Sequence, residues 1–121
     1  MNMNANELAC ALRQFTGTDH WYRHPLNRNM LYTDGVKYFA DNAGNGAYWF
    51  LDICATELYE LQAEEGFISV WLDVQDDKAM IAADDGNDKD LYSKTIEYTD
   101  CPPGEWKFFF TDKVLLLTSE Y

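Results

Sequence analysis

The apolar residues of this chain change their spacing at Gly66. Before it they recur every three to four positions, and beyond it they alternate. A helix repeats every 3.6 residues and a strand every two. The chain is therefore expected to divide into a helical first part and a β second part, which makes it α+β rather than a series of βαβ units.

The helical part reads as three segments. "ANELACALRQF", residues 5–15, places Leu8, Leu12 and Phe15 on one side, with Asn4 or Asn6 as cap and "TGT" as its end. Thr33 or Asp34 can cap a second helix, whose Val36, Phe39 and Ala40 share a face and which stops at "NAGNG". The third and clearest, "AYWFLDICATELYELQAEE" over 47–65, spaces Trp49, Phe50, Ile53, Leu58 and Leu61 at helical intervals before Gly66. Between the first two lies "DHWYRHPLNRNMLY", which Pro25 and its asparagines mark as loop or extended chain.

After Gly66, "FISVWLDV" alternates Ile68, Val70, Leu72 and Val74 against Phe67, Ser69, Trp71 and Asp73, as a largely buried strand does. "KAMIAAD", "LYSKTIEY", "EWKFFF" and "VLLL" follow, separated by "DD" at 76–77, "DDGND", "TDCPPG" and a turn at 111–113. The expected fold is one domain over residues 1–121: three N-terminal helices packed on one face of a four- to five-stranded antiparallel β-meander.

Charge is distributed unevenly. Residues 1–56 hold five acids against four bases, net -1, whereas residues 57–121 hold sixteen against five, net -11. A field of one sign repels nucleic acid and anionic membrane and steers a basic partner, so direct binding of nucleic acid is not expected. No apolar run approaches the roughly 18 residues of a membrane span, and the N-terminus lacks a basic, apolar leader, so a cytoplasmic protein is expected. Cys10, Cys54 and Cys101 are widely spaced and form no CxxC, which reads as small, mostly buried side chains rather than a disulfide frame or zinc site.

"DDGNDKD", residues 84–90, has the composition of a calcium loop. An EF-hand with Gly86 at its sixth position would need ligands at Ile81, Ala83 and Tyr92, so the motif fails and a hairpin turn is the better reading. "DHWYRH" is the second cluster that suggests chemistry. His20 and His24 stand four apart, as helical metal ligands do, and Asp19 could join them; the bland alternative has Trp21 and Tyr22 anchored in the core while Arg23, His24 and Arg28 face water or the acidic sheet. No cofactor is expected.

The aspartates form the more informative pattern. Asp73, Asp76, Asp77, Asp84, Asp85, Asp88 and Asp90 face only Lys78 and Lys89 in sequence, and the hairpin would place two anionic groups at opposite ends of the 78–84 strand, about 20 Å apart at ~3.3 Å per residue. That arrangement resembles phosphates along a duplex; it also serves solubility and discourages edge-to-edge pairing. Glu60 and Glu64 on the third helix are expected to form the rim of this surface, with Glu57 on the same helical face and no base on that helix in reach.

The stretches "LRQFTGTDHWYRH", "LYTDGVKYFADNAG", "AYWFLD", "DDGN", "IEYTD" and "VLLLTSEY", in this order, resemble a family of small bacterial and mobile-element proteins known as a domain of unknown function. The resemblance runs from about Leu12 to Tyr121 and implies a single domain in a bacterial or phage setting, with no catalytic residues. Small acidic proteins of mobile elements include anti-CRISPR and anti-restriction inhibitors that occupy a nucleic-acid channel, an analogy of size, charge and setting. The leading expectation is thus a non-enzymatic inhibitor whose acidic face binds a basic protein surface, with a CRISPR effector as partner. A metal-binding domain or hydrolase using His20 and His24 is the first alternative, and a module that dimerises through "WKFFF" and "VLLL" the second.

Overall fold

The computed structural model of the chain describes residues 3–121. Helix α1 (Ala5–Leu12) starts at Asn4, whose side chain accepts from the Glu7 N–H while Glu7 accepts from the Asn4 N–H. That reciprocal box satisfies two otherwise orphaned donors. The helix ends at Leu12, short of the "TGT" at which the sequence was expected to stop it, and Phe15 packs against Tyr38 from the turn beyond.

Strands β1 (Trp21–Arg23) and β2 (Leu31–Thr33) form an antiparallel hairpin inside the stretch read as loop or extended chain. Thr33 then caps α2 (Asp34–Asn42). The third helical stretch is one rod in three pieces, α3 (Tyr48–Ile53), a π-helical segment (Cys54–Leu58) and α4 (Tyr59–Glu65), stopped by Gly66 at φ 82°. Such a positive φ is available to glycine without a Cβ penalty.

Five further strands complete the sheet: β3 (Phe67–Gln75), β4 (Lys78–Asp84), β5 (Asp90–Ile96), β6 (Gly104–Thr111) and β7 (Val114–Leu117). Their order is β1-β2-β7-β6-β3-β4-β5, with β2 and β7 parallel and every other neighbour antiparallel. The α+β class and the three helices thus agree with the sequence reading, but the sheet has seven strands, is mixed and is not a meander. The chain leaves β5, crosses the Asp76–Asp77 end of the β3–β4 hairpin and brings β6 back beside β3. Thr99, buried on that crossing, donates its N–H to the Asp77 carbonyl at 2.8 Å, and Cys101 and Pro102 are buried next to it. Beside β3, the row Trp106, Phe108 and Phe110 can face the helices; at the outer edge of β5 it would face water.

One face of the sheet is covered. Ile68, Val70, Leu72 and Val74 on β3, Ile81 on β4, Phe108 and Phe110 on β6 and Leu115 on β7 are buried against Leu8, Val36, Phe39, Phe50 and Leu58 from the helices. Phe39, Phe50 and Phe108 meet at the centre with ring centroids 4.9–6.3 Å apart. Each such side chain contributes about 1.5–3 kcal/mol by leaving water.

The C-terminal segment, a 3-10 turn at Thr118–Glu120, locks the start of α2. Glu120 accepts from the Thr33 hydroxyl at 2.6 Å, the Gly35 N–H at 3.0 Å and the Leu117 N–H at 2.9 Å. Gly35 has no room for a side chain, because a Cβ there would run into Leu117 and Glu120.

Candidate functional site

The β3–β4–β5 hairpins carry the aspartates. Asp76 and Asp77 form the two-residue turn between β3 and β4, both with positive φ (51° and 63°), a backbone that Asp tolerates and that suits a tight hairpin. At the other end of β4, Asp84 accepts from the Gly86 N–H at 2.8 Å, and Asp85 accepts from the N–H groups of Asn87 (2.8 Å) and Lys89 (3.2 Å). "DDGNDKD" is therefore a turn stitched by its own carboxylates. Among the described residues, no three His, Cys, Asp or Glu side chains converge as metal ligands.

The two acidic turns lie at opposite ends of β4, seven residues long, so they are separated by about 20 Å as expected from strand geometry. Among the described residues the ion pairs within 4.0 Å are His20–Asp34, His24–Asp52, Lys37–Asp41 and Lys94–Glu57. None of the seven aspartates takes part in one.

Glu60 and Glu64 are exposed on α4, in the helical layer. Asp73 and Asp84 point to the other face of the sheet, since their strand neighbours Leu72, Val74 and Ala83 are buried beneath the helices. The structure therefore does not place Glu60 and Glu64 at the rim of the Asp73 surface: the sheet stands between them. Glu57 is compensated from another element, accepting from the Tyr92 hydroxyl and pairing with Lys94 at 3.0 Å, both on β5. Tyr92's hydroxyl, and then Lys94, hold the Glu57 carboxyl below its ordinary range.

The uncovered face of the sheet is aromatic as well as acidic, which sequence reasoning missed. Phe67, Phe109 and Tyr121 form a ring cluster with centroids 5.1–5.7 Å apart. Trp71 lies next to them, with the Lys107 ammonium 4.6 Å from its ring centre and its indole N–H donating to Asp84 at 3.3 Å. Across β4, the residue paired with Trp71 is Ala82, whose small side chain leaves a groove of about 330 Å³. Trp71, Ala82 and the exposed Met80 floor it; Asp73, Asp84, Asp90 and Glu105 wall it. Glu105 reaches the groove because β6 pairs with β3 in a register that sets Asp73 opposite Glu105 and Trp71 opposite Lys107. The alternation in "FISVWLDV" and "EWKFFF" contained both faces, but only the non-local pairing aligns them.

That alternation also divides the segments read as a dimerisation surface. Trp106, Phe108, Phe110, Leu115 and Leu117 are core, and Lys107, Phe109, Val114 and Leu116 lie on the uncovered side.

His20 and His24 are not brought together. The residues between them form strand β1, over which four positions span about 13 Å. His20 is exposed beside Asp34, at 3.5 Å. His24 is buried rather than facing water, and both of its nitrogens are occupied: Nδ1 accepts from the N–H groups of Leu26 and Asn27 at 3.1 Å, and Nε2 lies 2.8 Å from Asp52. With two donors aimed at Nδ1, the ring proton sits on Nε2 and donates to Asp52. Trp21 is exposed rather than anchored in the core, while Tyr22 is half-buried, stacked on Tyr32 and bonded to Asp34.

A cavity of about 660 Å³ lies between residues 14–19 and α2. Asp34, Lys37 and Asp41 on its lining are already partnered. Asp34 accepts from the Asp19 N–H (2.9 Å), the Tyr22 hydroxyl (2.9 Å) and the His20 N–H (3.3 Å), and these bonds, the first above all, hold its carboxyl below the usual range. Lys37 pairs with Asp41 at 2.9 Å.

Residues 6–121 match the sequence profile of a family of unknown function (DUF6876). The chain belongs to that family. The match agrees with the motif resemblance and spans nearly the whole chain. Membership in DUF6876 assigns no activity and no site. No curated protein and no solved structure matches the chain. No helix among the described residues is long and apolar enough to cross a membrane.

Proposed function

We propose that this chain is a non-enzymatic binding protein whose acidic hairpins engage a basic surface of another protein, one that ordinarily holds nucleic acid. The observation that carries this reading is the absence of any ion pair to Asp73, Asp76, Asp77, Asp84, Asp85, Asp88 or Asp90 among the described residues. Unneutralised charge of one sign destabilises a compact state through self-repulsion, and a basic partner would relieve it. Two anionic turns about 20 Å apart, joined by an uncovered sheet face, offer such a partner several contacts along one line. The target class is a nucleic-acid-processing complex, with a CRISPR effector as the first to examine.

The test is capture from bacterial lysate at about 50 mM and about 200 mM salt, a range over which phosphate-type contacts weaken strongly, using the chain and a variant with Asp76, Asp77, Asp85 and Asp88 changed to Asn. Asparagine tolerates the positive φ of these turns and keeps an acceptor for their N–H groups, so the fold is retained while four charges are removed. Capture of one nucleic-acid-processing complex, weakened by salt, displaced by added DNA and lost in the variant, is the expected result. Exchange of Glu60 and Glu64 for Gln leaves that capture intact, because they lie across the sheet. Capture by the variant at wild-type strength rules the reading out.

A further inference from the structure

We infer that the groove beside Trp71 receives an arginine side chain of the partner, stacked on the indole and paired with the carboxylates around it. This rests on the proposed binding of a basic surface and specifies which residue of that surface enters the uncovered sheet face.

The groove is built as a slot for a flat cation. Trp71 lies on its floor, and the residue paired with it on β4 is Ala82, too small to fill the space beside the ring. On the β6 side the chain's own Lys107 ammonium lies 4.6 Å from the Trp71 ring centre and 5.4 Å from that of Phe109, so this aromatic surface already attracts a cation. Asp84 accepts the indole N–H at 3.3 Å and fixes the ring's orientation.

Charge complementarity selects the occupant. The carboxylates of Asp73, Asp84, Asp90 and Glu105 border the groove, and among the described residues neither Lys107 on its β6 side nor Lys78, which lines the adjoining groove with Asp73 and Met80, forms an ion pair with them. A second copy of the chain laid face to face would bring two such sets of carboxylates together, and nucleic acid would be repelled outright. Between the two basic side chains, arginine fits better than lysine. Its guanidinium is planar, weakly hydrated and able to stack on an indole while donating two parallel bonds to a carboxylate; an ammonium is compact, strongly hydrated and already present as Lys107.

The experiment uses the full chain with short oligoarginine and oligolysine peptides of equal length, titrated by calorimetry at low salt and followed by NMR at the Trp71 indole N–H. The expected result is one-to-one binding of oligoarginine, tighter than oligolysine by about three- to tenfold, with a selective shift of the Trp71 signal. Two variants remove that preference by different routes while leaving every charge in place: Trp71→Leu deletes the stacking surface, and Ala82→Leu fills the slot. Lys107→Met, which vacates the space over the ring, tightens oligoarginine binding several-fold. Equal affinity for the two peptides with the Trp71 signal unmoved overturns the arginine slot and leaves the acidic-surface reading standing. Binding of neither peptide overturns both. Retained arginine preference in Ala82→Leu also overturns the slot, even if Trp71→Leu fails to fold.

Discussion

His24 illustrates how a titratable side chain can be consumed by architecture. Its ring closes the turn after β1 by accepting two backbone N–H groups and donating to Asp52, while the neighbouring Asn27 amide donates to the Ala55 carbonyl at 3.0 Å inside the π-helical segment. Removing the ring leaves two N–H groups without their acceptor and opens a void in a site that is otherwise closed. His24→Ala is expected to lower the unfolding free energy by about 2–4 kcal/mol, measured by urea denaturation, from unsatisfied donors and lost packing together. His20→Ala, on an exposed side chain, is expected to change it by less than about 0.5 kcal/mol. The spacing "HWYRH" carried no sign of this difference. Four positions apart means one side of a helix but about 13 Å along a strand, and a three-residue strand is too short to announce itself by periodicity.

The long elements were readable because each repeats its period several times: the rod from 48 to 65, β3, β4 and β5 all lie where alternation or helical spacing put them. What could not be read was partnership. No local signal states that β6 returns to β3, or that β7 lies parallel to β2, because those pairings are decided by which arrangement buries Trp106, Phe108, Phe110 and Leu115. The aspartate turns were legible, and their lack of cationic partners was not. Glu120 is a further residue whose role emerges only at the level of elements, since the three donors it serves lie on β2, α2 and β7. Glu120→Ala is expected to cost about 2–3 kcal/mol, and hydrogen exchange should speed up first at the start of α2 and in β7. Glu120→Gln, which keeps two acceptor bonds at most, should fall between it and wild type.

For the whole molecule, pH acts through the carboxylates that the fold holds down. Asp34 is lowered chiefly by the Asp19 N–H and Glu57 chiefly by the Tyr92 hydroxyl. A carboxyl with a lower pKa when folded binds fewer protons than in the unfolded chain between its two pKa values, so stability rises with pH through that window and is lost as pH falls through it. Unfolded Asp and Glu titrate near pH 4. The contribution of these two groups is therefore complete above about pH 5 and declines below about pH 4. In Glu57→Gln the acid limb of a denaturation series should be shallower than in wild type, while the difference at neutral pH persists. An unchanged acid limb would show that Glu57 is not held by Tyr92 and Lys94.

The parallel contact of β2 with β7 joins Leu31 to Val114, more than eighty positions later in the chain. Glu120, later still, closes the start of α2. During synthesis the β1–β2 hairpin emerges early but has no neighbour in the sheet until β7 is available. Its pairing must wait, and a wait for long-range pairing is both slow and exposed to wrong encounters. The polypeptide thus acquires its complete sheet only once the segment from Val114 to Glu120 has left the ribosome and can meet a hairpin made more than eighty positions earlier.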